Sequence, residues 1–440
     1  MANIIEPRIL KGFRDFPPEA EITRRSLVER IEASFRSYGF VPIDTPALEY
    51  AEILLGKGGG ETEKQVYRFT DQGGRDVALR FDLTVPFARF LAAHRNELSF
   101  PFKRYHIAKV WRGENTQRGR YREFTQCDFD IVGSDGAASD FEILLMMKTT
   151  LAAIGAGDCT IHVNHRGLFN RFLSRLGAEG HATDILRIVD KIAKTGREDA
   201  ALQLAGILDE KKAAAVLDYI EPRANFEETL AHITEASGGD APESRHMERI
   251  WRYMNDAGIA SSFILDPSIT RGLDYYTGIV YESFLAALPS IGSVCSGGRY
   301  DNLAGLYSKE AIGGVGASIG LDRLISALES LGVSGRTLSY AKAAIACVDE
   351  DAGGACQKLA GLFREKGIAC EVMLEAKKLG QQFMLAEKKG LAWVVIPGEK
   401  PLSSPLSLRN LASRETKENL SLDQAILELS GTPGFRAGDA

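Results

Sequence analysis

The segment KVWRGENTQRGRYREFTQCDFDIVG, from Lys109 to Gly133, constrains the fold most, because it reads as a strand, a polar loop with glycines at 113 and 119, and a second strand. Such a hairpin calls for an antiparallel sheet around it. In the outgoing strand Phe124, Gln126, Asp128 and Asp130 share one parity and Thr125, Cys127, Phe129 and Ile131 the other, so polar groups can line one face. Arg112, Glu114, Arg118, Arg120 and Arg122 crowd the turn with charge. Cross-strand ion pairs on a solvated hairpin account for part of that charge, and a polyanion site accounts for more of it.

A second cluster, RGLDYYTGIVYE from Arg271 to Glu282, sets a guanidinium, a turn glycine and two tyrosines before an apolar strand. Arginine presents a fork of donors to carboxylate or phosphate, and each tyrosine offers a flat face ending in a hydroxyl. The bland local reading is a structural ion pair between Arg271 and Asp274. A third cluster, CSGGRYDNLAGLY from Cys295 followed by GGVGASIGLDRL to Leu324, is rich in glycine. Gly314, Gly316 and Gly320 predict that a ligand or another backbone lies against this strand. Arg323 then falls in the first turn of a helix, where it can reach a phosphate near the helix N-terminus. No GxxxxGK(S/T) or GxGxxG opens a helix after a strand, so a nucleotide has to be held by arginines and a sheet surface.

These strings, with KGFRDFPP from Lys11, TPALE from Thr45 and ALRFDLTVPFARF from Ala78, resemble the histidyl-tRNA synthetases, a class II aminoacyl-tRNA synthetase family. The resemblance covers nearly the whole chain. Arg112 is similar to the motif 2 arginine, the segment ending in Arg323 looks like motif 3, and Pro46 sits where motif 1 has its proline. The implied fold is α+β: a class II antiparallel sheet flanked by helices, with a helical insertion and a C-terminal α/β anticodon-binding domain. The implied reaction joins L-histidine to tRNA(His) through histidyl-adenylate, with ATP as substrate, Mg²⁺ on its phosphates, and no metal held by a dedicated protein site. The alternative is a catalytically silent relative that senses histidine or tRNA.

The resemblance also implies roles for single residues. Arg271 and Arg112 would be catalytic, gripping the α-phosphate and the substrate carboxylate. Arg112, Glu114, Arg120, Phe124 and Arg323 would bind ATP, with Phe124 against adenine. Asp82, Leu83, Thr84 and Gln126 would hold the α-ammonium end of histidine, Asp130 and Tyr276 its imidazole, and Tyr275, Tyr276 and Tyr300 would wall the pocket. A neutral imidazole presents one donor and one acceptor, which suits a carboxylate and a phenol. Read locally, Asp82 is also a helix cap before a helix starting near Thr84. LGKGGGETEKQVY, from Leu55, reads as a lid. Asn115-Thr116 stands where many bacterial members have Arg-Pro, so Asn115, Gln117 and Arg118 are expected to meet the acceptor end with less reliance on the extra 5′ guanylate. Aminoacylation of transcripts with and without that nucleotide tests this.

At 440 residues the chain needs more than one core. The expected division is a catalytic domain in two parts, 1–167 and 256–330, a helical insertion at 168–255, an anticodon-binding domain at 338–430 built as βαβαβ with a mostly parallel sheet, and a flexible tail at 431–440. An amphipathic helix from Glu19 to Tyr38, ended by Gly39, precedes the strand FVPIDT, and this motif 1 region implies a homodimer. YRFTDQGGRDVALRFD reads as a hairpin adding two strands to the same antiparallel sheet. Six cysteines without CxxC spacing read as reduced core thiols, and His162 and His165 as structural. The absence of an apolar leader or an eighteen-residue apolar run predicts a cytoplasmic location and no membrane partner. The net charge of −6 does not advertise RNA. From Gly335 onward 14 Lys+Arg face 13 Asp+Glu, a difference too small to mark an RNA surface.

Overall fold

The computed structural model describes residues 5–56, 61–270, 276–301, 305, 307, 311–333 and 337–431. The chain divides into two compact units, one formed by Met1–Arg14 with Ile31–Val333, the other by Asp15–Arg30 with Ser334–Ala440.

The first half of unit one runs β1 (Val41–Pro42), β2 (Leu48–Tyr50), α2 (Ala51–Leu55), α3 (Glu61–Gln65), β3 (Arg68–Thr70), β4 (Asp76–Leu79), α4 (Thr84–His94), β5 (Phe102–Trp111), β6 (Glu123–Val132) and α5 (Ala137–Ala153), after α1 (Pro18–Ser37), which the division of units crosses. α1 stops before Gly39, whose φ of +78° only glycine adopts without strain. Leu27, Ile31 and Phe35 are buried, and the Phe35 ring lies 4.7 Å from that of Phe129 and 5.6 Å from that of Tyr105.

β7 (Cys159–His165) then leads into six helices, α6 (Arg166–Leu176), α7 (Ala182–Thr195), α8 (Arg197–Ile207), α9 (Glu210–Tyr219), α10 (Phe226–Ala236) and α11 (Pro242–Asp256). Asp209 and Asn225 cap α9 and α10 by accepting the Lys212 and Glu228 N–H groups, both at 2.8 Å. The chain returns through β8 (Phe263–Leu265), β9 (Ile279–Leu285), β10 (Cys295–Tyr300), β11 (Gly314–Gly320) and α12 (Leu321–Ser330).

Eight of these strands form one sheet in the order β1-β5-β6-β11-β10-β9-β7-β8. It is antiparallel through its centre, with parallel pairs β1/β5 and β7/β8 at its two ends. The hairpin through Asp71–Gly74 forms as expected from its sequence, but it does not extend this sheet. β3 and β4 pair with β2 in a separate three-stranded sheet. Its strands are only three or four residues long, and β3 is exposed throughout, so little apolar surface drives it onto the main layer.

The second unit carries β12 (Ala343–Ile345), α13 (Gly353–Glu365), β13 (Cys370–Val372), α14 (Leu379–Lys388), β14 (Trp393–Ile396), β15 (Leu406–Asn410), β16 (Thr416–Leu420) and α15 (Leu422–Gly431). β12, β13 and β14 are parallel. The mostly parallel reading missed β15 and β16, which add antiparallel at one edge. Their sequences, LSLRN and TKENL, are polar because β16 faces solvent, and carry little strand signal. Residues 432–440 of the expected tail lie outside the described residues. All six cysteines are free; five are buried and Cys159 is half-buried.

Candidate functional site

β6 is central to its sheet, so the register on both sides decides what faces its polar row. Asp130 stands opposite Arg104 of β5 and Gly316 of β11; Asp128 opposite His106 and Ser318; Gln126 opposite Ala108 and Gly320. A Cβ on Gly316 would lie 2.0 Å from the Asp130 Oδ1, so the carboxyl can stand there only because residue 316 has no side chain. Gly298 of β10, opposite Gly316, continues the row, and a Cβ there would come within 2.9 Å of the Tyr276 ring. Of the three glycines expected to lie against a ligand or another backbone, Gly316 meets the Phe129 carbonyl as well as the Asp130 carboxyl, Gly314 makes room for the Tyr300 ring, and Gly320 is uncrowded and lines the cleft described below.

Both oxygens of Asp130 are engaged. The Tyr300 hydroxyl donates to Oδ1 at 2.8 Å, and Arg104 Nη2 lies 2.7 Å from Oδ2. Arg104 is fully buried, with its guanidinium 3.9 Å from the centre of the Phe87 ring. Burial pushes the Asp130 carboxyl above its ordinary range and Arg104 opposes that shift. Tyr300 is therefore more than a wall of the pocket; its hydroxyl is committed to Asp130.

Asp82 is indeed a cap: its Oδ1 accepts the Val85 N–H at 3.0 Å at the start of α4. Its Oδ2 is buried with no hydrogen-bond partner among the described residues. Burial raises its pKa, opposed by the charges of Arg112 and Arg104. Leu83 is fully buried in the core, and Thr84 beside it is half-buried. Asp128 is pushed up to about 7, first by burial and then by Asp130 and Asp82, with Arg104 pulling the other way.

Next along the same face a cleft of about 170 Å³ opens, lined by Arg112, Glu114, Arg120, Phe124, Gln126 and Arg323 together with Ser318 and Asp322. Arg112 Nε donates to the Phe81 carbonyl at 2.8 Å while its guanidinium sits 5.3 Å from the Phe124 ring centre. Glu114 lies between Arg112, at 3.6 Å, and Arg120, at 3.4 Å. Arg323, in the first turn of α12, donates to the Ser293 carbonyl at 2.6 Å. The N-terminal segment braces this end. Gly12 accepts the Arg122 N–H at 2.8 Å, and Arg14 pairs with Asp322, which in turn accepts the Thr125 N–H at 2.6 Å. Three guanidiniums beside an aromatic face suit a polyphosphate attached to a flat base.

Asn115, Gln117 and Arg118 are exposed on the hairpin loop, where Arg118 donates to the Ser330 hydroxyl at 2.6 Å. Arg271 and Tyr275, together with the proposed Arg271–Asp274 pair and residues 57–60 of the expected lid, lie outside the described residues. The flanks of the 271–275 segment are described. Asn164 Nδ2 donates to the Pro267 and Ile269 carbonyls at 3.1 and 3.0 Å, and the Thr277 N–H donates to the Arg299 carbonyl at 2.9 Å. Arg299 is itself buried against Asp140, its Nε 2.9 Å from Oδ1. His162 pairs with Asp266 at 2.8 Å, the structural role read from the sequence. No group of three or more His, Cys, Asp or Glu able to hold a metal occurs among the described residues.

The residues that sequence reasoning left without a role are Arg104, Asp128, Ser318 and Asp322. Asp128 had a visible signal, since it shares parity with Gln126 and Asp130. Arg104 had none, because its value depends on the β5/β6 register that sets it opposite Asp130.

A family model described as histidyl-tRNA synthetase matches residues 12–324, and one described as an anticodon binding domain matches residues 342–432. The histidine--tRNA ligase of Treponema denticola is 54% identical over 399 residues, 89% of each chain. That of Treponema pallidum is 50% identical, covering 94% of this chain and 96% of the relative. Among solved structures, the histidyl-tRNA synthetase from Nostoc sp. PCC 7120 superposes with a TM-score of 0.88 at 30% identity, covering 97% of this chain and 99% of that one.

Proposed function

Because the chain belongs to the histidyl-tRNA synthetase family, we propose a division of labour along the β6 face by which it performs the ATP-dependent ligation of L-histidine to tRNA(His). The observation that carries the reading is the continuity of two chemistries on one face: the cation-and-aromatic cleft from Arg112 to Phe124 runs through Gln126 into the buried carboxyls at Asp128, Asp130 and Asp82.

In the first step an oxygen of the histidine carboxylate bonds to the α-phosphorus and the bond from that phosphorus to pyrophosphate breaks. The nucleophile is already ionised near neutral pH, so positioning and charge neutralisation carry the catalysis. Arg112, from the cleft, and Arg271 would both take the α-phosphate and carboxylate. Phe124 would stack on adenine, and Arg120 and Arg323 would meet the outer phosphates. The ion pairs of Glu114 among the described residues are long, and it would take a share of Mg²⁺ held mainly by ATP. Asp130, kept an acceptor by Arg104, would receive the imidazole N–H and Tyr276 would meet the other ring nitrogen. In the second step a terminal ribose hydroxyl of the tRNA attacks the carbonyl and AMP leaves, with Gln117 and Arg118 near the acceptor end. A pocket that hydrogen-bonds the ring discriminates by about 10⁴ to 10⁵ against analogues lacking those groups.

Histidine-dependent exchange of pyrophosphate into ATP requires this whole arrangement. Folded protein lacking the exchange would favour a chain that binds histidine or tRNA without activating it. No described helix is long and apolar enough to cross a membrane, and a cytoplasmic location accords with a family of translation enzymes. We also propose a homodimer through the motif 1 region. The apolar stripe of α1 is consumed within the chain, leaving Val41, Leu48 and Tyr50, each more than a third exposed, as the surface a second copy would cover. Sedimentation at micromolar concentration should give a dimer, and a monomer alone would refute it.

A further inference from the structure

The buried carboxyl cluster contains acceptors that the protein itself leaves unused. Each Asp130 oxygen already has a protein partner, whereas Asp82 Oδ2, Gln126 Oε1 and Asp128 Oδ1 have no hydrogen bond among the described residues, and the Arg104 nitrogens, though one is ion-paired with Asp130, make none either. Orphaned buried acceptors are rare and costly, and these three, on residues at or beside the β6 face with Asp82 close enough to act on Asp128, suit a ligand with matching donors. Gln126 is held in the sense this requires, since its Nε2 donates to Ser318 Oγ at 2.9 Å and its carbonyl oxygen is left without a hydrogen bond. Asp128 lies two residues along the same face, opposite Ser318, whose hydroxyl also bonds its carboxyl, so the unpartnered oxygen is Oδ1 alone.

An α-ammonium has three N–H donors and one positive charge. We propose that Asp128 joins Asp82 and Gln126 as the third acceptor of the substrate's α-ammonium, making it a specificity-determining residue that distinguishes the amino acid from its deaminated analogue. This rests on the reading that the pocket takes histidine. Electrostatics fit the same reading: although Arg104 and Arg80 lie near it, burial with Asp130 and Asp82 pushes Asp128 up to about 7, so near neutral pH it shares its charge with a proton. An ammonium opposite it would draw that proton off.

The groups facing Asp128 are Asp130 and Gln126 on its own strand, Arg104 and His106 from β5, Arg80 and Asp82 from the segment before α4, Ser318 from β11 and Cys295 from β10. His106 is lowered to about 4 by burial and by Arg104, and the Cys295 thiol is raised far by burial. Neither changes charge between pH 6 and 8, and the shift of Asp128 to about 7 puts its titration inside that window.

The test is calorimetric titration of the full chain with L-histidine and with imidazolepropionate, which lacks only the amino group. Asp128→Asn should weaken L-histidine by about 10- to 100-fold and the analogue by less than about threefold, since a charge-assisted bond is lost with only one ligand. In the wild type the pH series uses 1,2,4-triazolylalanine and its deaminated analogue, whose rings stay uncharged between pH 6 and 8, and the preference for the amino acid should fall by up to about tenfold from pH 8 to pH 6 as Asp128 protonates. The pH series needs no variant, so it decides the matter even if Asp128→Asn fails to fold. Equal weakening of both ligands, or a preference independent of pH, would overturn the proposal. A wild type that binds neither ligand would remove the histidine reading and this proposal with it.

Discussion

Replacing Arg271 with alanine is expected to slow histidyl-adenylate formation by about 10² to 10³ or more while leaving the protein folded, the usual cost of deleting one preorganised donor from a site of developing charge. Charge grows on the α-phosphate only while the phosphoryl displacement is under way. Transfer from preformed adenylate to tRNA makes an ester at carbon, so it should suffer far less. If Arg271 instead serves only to pair with Asp274, the variant should lose about 3 to 5 kcal/mol, and both steps should decline together with the folded fraction. Single-turnover rates of each step, measured beside thermal unfolding, separate these outcomes. A folded variant with unchanged adenylation would remove Arg271 from catalysis.

Arg104→Met carries the second large effect, and it should appear in stability as well as binding. Arg104 is fully buried and paired with Asp130, and its charge offsets those of Asp82 and Asp128. Removing one partner of a buried pair typically costs about 3 to 5 kcal/mol, because the other charge stays behind. The sign with pH follows from the carboxyls. Without Arg104 their folded pKa values move further above the unfolded value near 4, so the penalty is absent below that pH and grows as pH rises through the raised folded values. Denaturant unfolding should therefore show a larger loss at pH 8 than at pH 5. A loss below about 1 kcal/mol, or one identical at both pH values, would show that the three carboxyls do not depend on this cation.

The parts of this molecule that were legible in sequence are those set by local period. The hairpin, its polar parity, the helix beginning at Thr84 and the stop of α1 at Gly39 follow from alternation, capping and a positive φ. What required three dimensions was register. Arg104 meets Asp130, and Gly316 clears space for it, only because β5 and β11 flank β6 at those offsets, and the period within a strand encodes no offset between strands, least of all between β6 and the distant β11. The second sheet around β4 and the edge strands β15 and β16 were misjudged for a related reason: short or solvent-facing strands bury little, so their hydrophobic pattern is weak.

The bare backbone at Gly316 has a consequence for how this pocket could evolve. Every amino acid reachable from a glycine codon by one base change carries a Cβ, and any Cβ at 316 collides with the carboxyl of Asp130. If Asp130 reads the imidazole as proposed, the choice of amino acid would be guarded by a neighbouring position with no side chain of its own. A lineage drifting toward another residue at 316 would have to displace or surrender the Asp130 carboxyl first. Inhibitors that engage Asp130 would meet the same barrier from the other direction, since a side chain at 316 would disturb the carboxyl they bind.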